Sequence, residues 1–400
     1  MKAMDMICTP GLCTGCETCS NVCPRRCISM ASNTEGFLEP KIDKNHCTGC
    51  RQCQEKCPVL QPLSLQNLSP DVYACWSLDD EIRMQSSSGG LFSVIANEIL
   101  ERGGVVFGAL FDETLKVRHD FAESEEKLSR FRTSKYVQSE IGDSYQKVKF
   151  FLGQNRVVLF TGTPCQIAGL YSYLGNLRDH PNLTTCDLIC HGVPSPKVFD
   201  SYLQWLKKKL KISITDLRMR DKSHAWRPSH SIRIILSDAT DLLILSHKDP
   251  FLFGFAKDMF TRPSCHICCF AKEYRYGDFT LADFWDIGKT VPFAYDTKRG
   301  VSLLLVNSDK GHVFFDTIKH HIFYEKRTME EARQGNPMLY RPSYPHPKRE
   351  RFFRDYHQYP FELVVKKYLR PKLNVTGKIK KLLKVVLGDK VVSTVKKFVK

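Results

Sequence analysis

No apolar run in this 400-residue chain approaches the roughly 20 residues that a membrane-crossing helix needs, so such a helix is not expected. The first ten residues hold one Lys and no apolar stretch of the kind a secretory signal requires, and synthesis is expected to end in the cytoplasm. An even cysteine count is also missing. Seventeen cysteines fit a closed disulfide framework poorly and point instead to thiolate ligands in a reducing compartment. Acidic residues nearly vanish from the last forty positions, which hold twelve Lys and Arg against two carboxylates. That segment carries ten of the sixteen net positive charges, and the six left on the other 360 residues are ordinary for an enzyme. Nucleic acid is therefore not expected as a partner. What remains is a globular composition, 42% hydrophobic and 26% charged, long enough for two or three domains.

The cysteines are concentrated at the start. Cys13-Thr-Gly-Cys16-Glu-Thr-Cys19-Ser-Asn-Val-Cys23-Pro24 and Cys47-Thr-Gly-Cys50-Arg-Gln-Cys53-Gln-Glu-Lys-Cys57-Pro58 are two copies of C-x2-C-x2-C-x3-C-P. Three closely spaced thiolates can grip three corners of a cubane, while the fourth cysteine, carried off on the next turn, ligates the other cluster. One [4Fe-4S] cluster is thus expected on Cys13, Cys16, Cys19 and Cys57, and a second on Cys47, Cys50, Cys53 and Cys23. Paired four-cysteine zinc sites are the alternative, but structural zinc favours separated knuckles over a continuous run. Between the repeats, Ile28-Ser-Met and Phe37-Leu-Glu-Pro flank Asn33 and Gly36 as a small hairpin would. Cys8 and Cys27 fall outside the pattern and are expected to be small residues packed beside the clusters.

The chain then divides. Residues 1–62 form the ferredoxin-type module and 63–71 a Pro-interrupted linker. Residues 72–150 and 151–335 read as two parts of a mixed α/β body, with a helix at about Leu91 to Arg102 and strands at Val105 to Phe111 and Arg156 to Phe160. Further helices are expected at Gln166 to Leu174 and Lys197 to Leu210, and strands at Ser231 to Leu236 and Asp241 to His247. Residues 336–372, rich in Pro, Tyr, Phe and Arg toward their start, read as an extended arm wrapped over the body, with a simple packed tail as the favoured alternative. The overall class is α+β. In the body, Cys265-x-x-Cys268 offers two metal ligands, and Cys165 and Cys190, each beside a turn, are candidates for two more; a zinc site or buried thiols fit the spacing equally well. Cys75 and Cys186 read as core residues. Ser86-Ser-Ser-Gly-Gly90 runs into a predicted helix, where it is either a simple cap or a phosphate cradle.

Val72-Tyr-Ala, Ser86-Ser-Ser-Gly-Gly90, Ser134-Lys-Tyr-Val-Gln-Ser139, Thr161-Gly-Thr-Pro-Cys-Gln166, Cys190-His-Gly-Val-Pro-Ser195, Cys265-His-Ile-Cys268 and Ala282-Asp-Phe-Trp285 follow one another in the order of a known family. Residues 72 to about 345 resemble the beta subunit of coenzyme F420 (deazaflavin) hydrogenases and dehydrogenases. The resemblance implies FAD and one further [4Fe-4S] cluster in the body. It favours Cys165, Cys190, Cys265 and Cys268 as the ligands of that cluster and leaves Cys269 ambiguous. It implies FAD contacts at Ser87, Ser88, Gly89, Gly90, Lys135, Thr161, Gly162 and Thr163, with the pyrophosphate at the Ser/Gly loop. Two loops depart from the family, which often has Gly where this chain has Thr133 and Ala225. His191, His224 and Asp283 are candidate proton donors, although a lone His beside a turn is more often structural.

From Lys378 onward, Ile379, Leu382, Leu383 and Val386 recur at helical spacing among lysines, so residues 373–400 read as a basic amphipathic helix. Such a helix can lie on an anionic membrane surface or dock on protein, and both readings stand. The expected function is that of a cytoplasmic iron–sulfur flavoprotein reductase passing electrons between [4Fe-4S] clusters and FAD. Its partners would be a redox protein or soluble electron donor and a small-molecule substrate, with deazaflavin and nicotinamide among the candidates. The alternative is a non-catalytic electron-transfer subunit that wires a partner enzyme, with a role in polymer biosynthesis also open.

Overall fold

The computed structural model describes residues 4–64, 69–227 and 230–370. The expected tail helix at 373–400 lies outside the described residues, as does part of the expected linker. Among the described residues no helix is long and apolar enough to cross a membrane.

The N-terminal module holds two one-turn helices, α1 (Thr18–Val22) and α2 (Gln52–Glu55), and the hairpin β1 (Ile28–Ser32) and β2 (Leu38–Ile42). The hairpin is antiparallel with Ile28 opposite Ile42 and Ser32 opposite Leu38. Asn33 closes its turn: the side-chain oxygen accepts the Glu35 and Phe37 N–H groups at 3.1 and 3.0 Å, and Gly36 takes the positive φ of 92° that the turn needs.

The body begins with β3 (Asp71–Ser77), α3 (Asp80–Gln85), α4 (Leu91–Glu101), β4 (Val105–Phe111), β5 (Val117–Ala122), α5 (Glu125–Ser129), α6 (Ser144–Gly153), β6 (Val158–Gly162), α7 (Pro164–Leu174) and β7 (Leu183–Leu188). There follow α8 (Pro196–Leu210), a second sheet of β8 (Ile214–Asp221), β9 (Ser231–Leu236) and β10 (Asp241–Leu245), and α9 (Pro250–Ala256). The chain then returns to the main sheet with β11 (Phe279–Asp283), β12 (Ser302–Val306), α10 (Asp309–Ile318) and β13 (Ile322–Arg327). The described residues close with α11 (Met329–Gly335), α12 (Arg349–Gln358) and α13 (Phe361–Tyr368).

The main sheet has the order β13-β3-β12-β11-β7-β6-β4-β5. Its centre, β11-β7-β6-β4, is parallel, and the flanking pairs are antiparallel. Central strands such as Val105–Phe111 and Ser302–Val306 are apolar almost throughout because helices cover both faces. Leu91, Ile95 and Ile99 of α4 and Phe314 and Ile318 of α10 pack on one face. Tyr145 and Val148 of α6 and Ile167 and Leu170 of α7 pack on the other.

The expected extended arm is a correction. Within 336–372 the chain forms α12 and α13, and Phe352, Phe353, Val364 and Val365 join the core shared with α8, α9 and the small sheet. The prolines that suggested an arm flank Arg349–Gln358 and do not enter it, so nothing there breaks a helix.

Module and body interlock. Arg262, 1% exposed, donates to the carbonyl oxygens of Cys13 (2.8 Å) and Leu38 (2.8 Å) in the module and to Gln138 Oε1 (2.7 Å) in the body. Glu17 accepts the N–H groups of Ile141 and Gly142, and Arg349 pairs with Glu35.

Candidate functional site

In a parallel sheet the loops leaving the carboxyl ends of the strands frame the natural binding crevice. Three of the sequence segments singled out above stand at those ends. Thr161-Gly162 closes β6 and leads to Thr163-Pro164-Cys165, Leu188 closes β7 and leads to Cys190-His191, and Ala282-Asp283 closes β11. All three border a cavity of about 1110 Å³. That volume exceeds the usual range of about 300–1,000 Å³ for small-ligand sites.

The four body cysteines meet on one wall of this cavity. Cys165 occupies the second position of α7, whose start is fixed by a capping box between Thr163 and Gln166. Its thiol lies 3.1 Å from Thr163 Oγ1 and within electrostatic reach of Cys268, Cys190 and, across the module boundary, Cys16. Burial pushes the Cys165 thiol well above its ordinary range, Cys190 up to about 12 and Cys265 up to about 11, with neighbouring thiols adding to the effect. Buried thiols that oppose one another's ionisation are suited to a bound cation, which would hold them as thiolates. Cys269 is exposed, and Cys75 and Cys186 are core residues.

In the module, Cys57 stands within electrostatic reach of Cys13, Cys16 and Cys19. Cys23 lines one small cleft with Cys47, Cys50 and Cys53. Cys8 is half-buried beside Cys57, and Cys27 is buried with its sulfur 3.4 Å from that of Cys23. Among the described residues no three His, Cys, Asp or Glu side chains converge tightly enough for a single metal ion. Cubane ligands stand farther apart, one to each iron corner.

Of the expected flavin contacts, Ser87, Ser88, Gly90, Lys135, Thr161, Gly162 and Thr163 line the cavity. Gly89 does not: its N–H donates to Ser302 Oγ at 2.9 Å, and a Cβ there would meet the Cys75 carbonyl oxygen at 2.5 Å. Gly90, with φ 94°, starts α4 without any side-chain cap, so the helix start faces the cavity with its backbone groups. Lys135 does not reach freely inward, because its Nζ donates to the carbonyl oxygens of Arg130 (2.7 Å) and Arg132 (2.6 Å). Thr133, where the family often has Gly, takes a left-handed φ of 67° on the cavity wall. Of the candidate proton donors, His191 and Asp283 line the cavity, and His224 is exposed and does not.

Several cavity residues carried no sequence signal. Arg220 of β8 forms a two-pronged pair with Asp283 at 2.8 and 3.1 Å, and the Trp226 indole N–H donates to the same carboxylate at 2.7 Å. The Arg220 Nε is buried without a partner among the described residues. His119 of β5 is 7% exposed and lies with Nε2 3.0 Å from the Thr161 carbonyl oxygen, which leaves a buried Nδ1 without a partner among the described residues. Burial pulls His119 down to about 4, so its ring is neutral at physiological pH. Arg275 pairs with Asp187 in a fully buried bridge at 3.0 Å, beside Cys190 and Cys268. Each of these residues comes from a separate element, and only the fold brings them together.

Residues 155–332 match the family model described as the C terminus of the coenzyme F420 hydrogenase/dehydrogenase beta subunit. Residues 12–60 match the 4Fe-4S dicluster domain. A solved structure of the F420-reducing [NiFe] hydrogenase complex from Methanosarcina barkeri, derivatised with xenon, is similar at 18% identity over 69% of this chain and 89% of that one, with a TM-score of 0.45. No curated protein matches.

Proposed function

From a chain whose residues 155–332 belong to the coenzyme F420 hydrogenase/dehydrogenase beta-subunit family and whose residues 12–60 form a 4Fe-4S dicluster domain, we propose a flavin-dependent reductase fed by an iron–sulfur relay. Cys13, Cys16, Cys19 and Cys57 hold one cubane and Cys47, Cys50, Cys53 and Cys23 the second. Cys165, Cys190, Cys265 and Cys268 hold a third beside the cavity. FAD fills the cavity, where it supplies exchange of a hydride or electron pair on one side and of single electrons on the other.

The observation that carries this reading is the position of Cys165. Its thiol feels Cys16 of the module and Cys190 and Cys268 of the body, and all three body thiols border the cavity. A relay needs such an intermediate stop between the module and the substrate site. The fit of a flavin is supported by the uncapped start of α4 for a pyrophosphate and by Arg220 and His119 on the cavity wall. Arg220 and Asp283 place a fixed ion pair on the cavity wall. The Trp226–Trp285 stack, 5.1 Å between ring centres, supports Asp283 and shields that pair from water.

The substrate side would take a hydride donor or acceptor such as a deazaflavin or nicotinamide, and the single-electron side a redox protein. Iron, acid-labile sulfide and flavin in anaerobically purified protein test the reading. About twelve irons and one FAD per chain are expected, whereas intact clusters with no flavin would reduce the protein to a wire for another enzyme.

A further inference from the structure

The two cysteine repeats set different residues at one equivalent position. Glu17 follows Cys16 and Arg51 follows Cys50, and each precedes its short helix in a left-handed conformation, with φ of 61° and 62°. Glu17 is 5% exposed and accepts the body's Ile141 and Gly142 N–H groups at 2.8 and 3.0 Å. The first repeat thus uses this turn as its contact with the body. Arg51, at the matching turn of the second repeat, is exposed.

The ligands differ in the same sense. Cys16 is buried and Cys50 exposed. Arg25 and Arg51 line the same cleft as Cys23, Cys47, Cys50 and Cys53, and Arg26 is exposed next to Arg25. No carboxylate pairs with Arg25, Arg26 or Arg51 among the described residues. Of the exposed carboxylates nearby, Asp5 is paired with Lys44, which leaves Asp43, hydrogen-bonded to His46, and Glu55 of α2 against three arginines. The second repeat therefore has a positive rim around an accessible cysteine, on the half of the module that does not touch the body through its turn.

We infer that this rim, with Cys50 at its centre, is the docking surface for a small acidic one-electron carrier protein. The inference rests on the proposed function and names the partner of its single-electron side. Each encounter moves one electron: the carrier is oxidised, the module is reduced, and no bond forms or breaks. Opposite charge raises the encounter rate in a salt-dependent way, and an exposed ligand shortens the distance from carrier to cluster.

The test uses the full-length anaerobic holoprotein and two reductants, a reduced acidic [2Fe-2S] ferredoxin and photoreduced, uncharged deazariboflavin. Arg25→Glu with Arg51→Glu should slow reduction by the ferredoxin about tenfold or more and flatten its salt dependence. Reduction by the uncharged reagent should stay unchanged. Lys207→Glu with Lys208→Glu, an equal charge change on α8, should alter the ferredoxin rate less than about twofold. Equal losses in the two double variants, no loss in the arginine pair, or a wild-type protein that the uncharged reagent reduces but the ferredoxin does not, would overturn the inference. If the glutamates cost iron, Arg25→Gln with Arg51→Gln is measured instead, with a smaller loss in the same direction expected. A protein that neither reagent reduces fails at the proposed function itself, which separates the two.

Discussion

Gly169 of α7 packs on Thr18 of α1 with no room for a side chain: a Cβ on Gly169 would lie 2.6 Å from Thr18 Oγ1, 2.8 Å from the Tyr145 hydroxyl and 3.2 Å from Cys16 Cβ. This contact brings the helix that carries Cys165 in its first turn against the first cysteine loop. Gly169→Val should therefore cost about 1–3 kcal/mol through overpacking. Denaturant unfolding of the anaerobic protein reads this, and the same variant should slow electron transfer from module to body.

Arg262 makes its contribution through three charge-assisted hydrogen bonds at almost complete burial. Arg262→Ala would leave the acceptors of Cys13, Leu38 and Gln138 unsatisfied, and a loss of about 2–4 kcal/mol is expected. Arg262→Lys should recover little, because an ammonium cannot reproduce the planar fork. Limited proteolysis between module and body should quicken in both variants.

Thr133 has a positive φ that a β-branched residue adopts only under strain. Thr133→Gly should raise stability by about 1 kcal/mol, the relieved strain outweighing the added chain entropy. Thr133→Val should give no gain, and thermal unfolding of the two variants side by side distinguishes them.

Asp249 caps α9 by accepting the Leu252 N–H at 2.8 Å, and burial raises its carboxyl to about 6. A carboxyl whose folded value lies above its unfolded one contributes stability at low pH and loses it as pH rises through the folded value. Wild type should thus lose about 3 kcal/mol relative to Asp249→Asn between about pH 4 and pH 6 and change little above that. Measuring the difference between the two proteins cancels the acid sensitivity that they share.

How much of this was legible in the sequence depended on how local each feature is. The dicluster domain is marked by cysteines a few residues apart, so the spacing of Cys13 to Cys23 and Cys47 to Cys57 carried it. The hairpin rested on Asn33 and Gly36, and the main helices and strands on apolar periodicity; both appear near the expected bounds. Helix α12 was missed because the surrounding prolines dominated the composition, although Phe352, Phe353 and Tyr356 are spaced for one helical face. Gly89 reads as part of a phosphate loop, yet its N–H is taken by Ser302, more than 200 residues away in sequence. Arg220, His119 and Arg275 have no motif around them. They matter through partners on other strands, and that is tertiary information.

The central claim is that the module delivers electrons to a flavin in the cavity, and it is tested most directly by single-turnover flavin reduction in the full-length holoprotein. Wild type is compared with Cys57→Ala after reduction of the module by a ferredoxin. The account predicts loss of about four irons and flavin reduction slowed about tenfold or more, because Cys57 stands with Cys13, Cys16 and Cys19 on the side of the module facing Cys165. Flavin reduction at the wild-type rate in a variant that has lost that iron would contradict it.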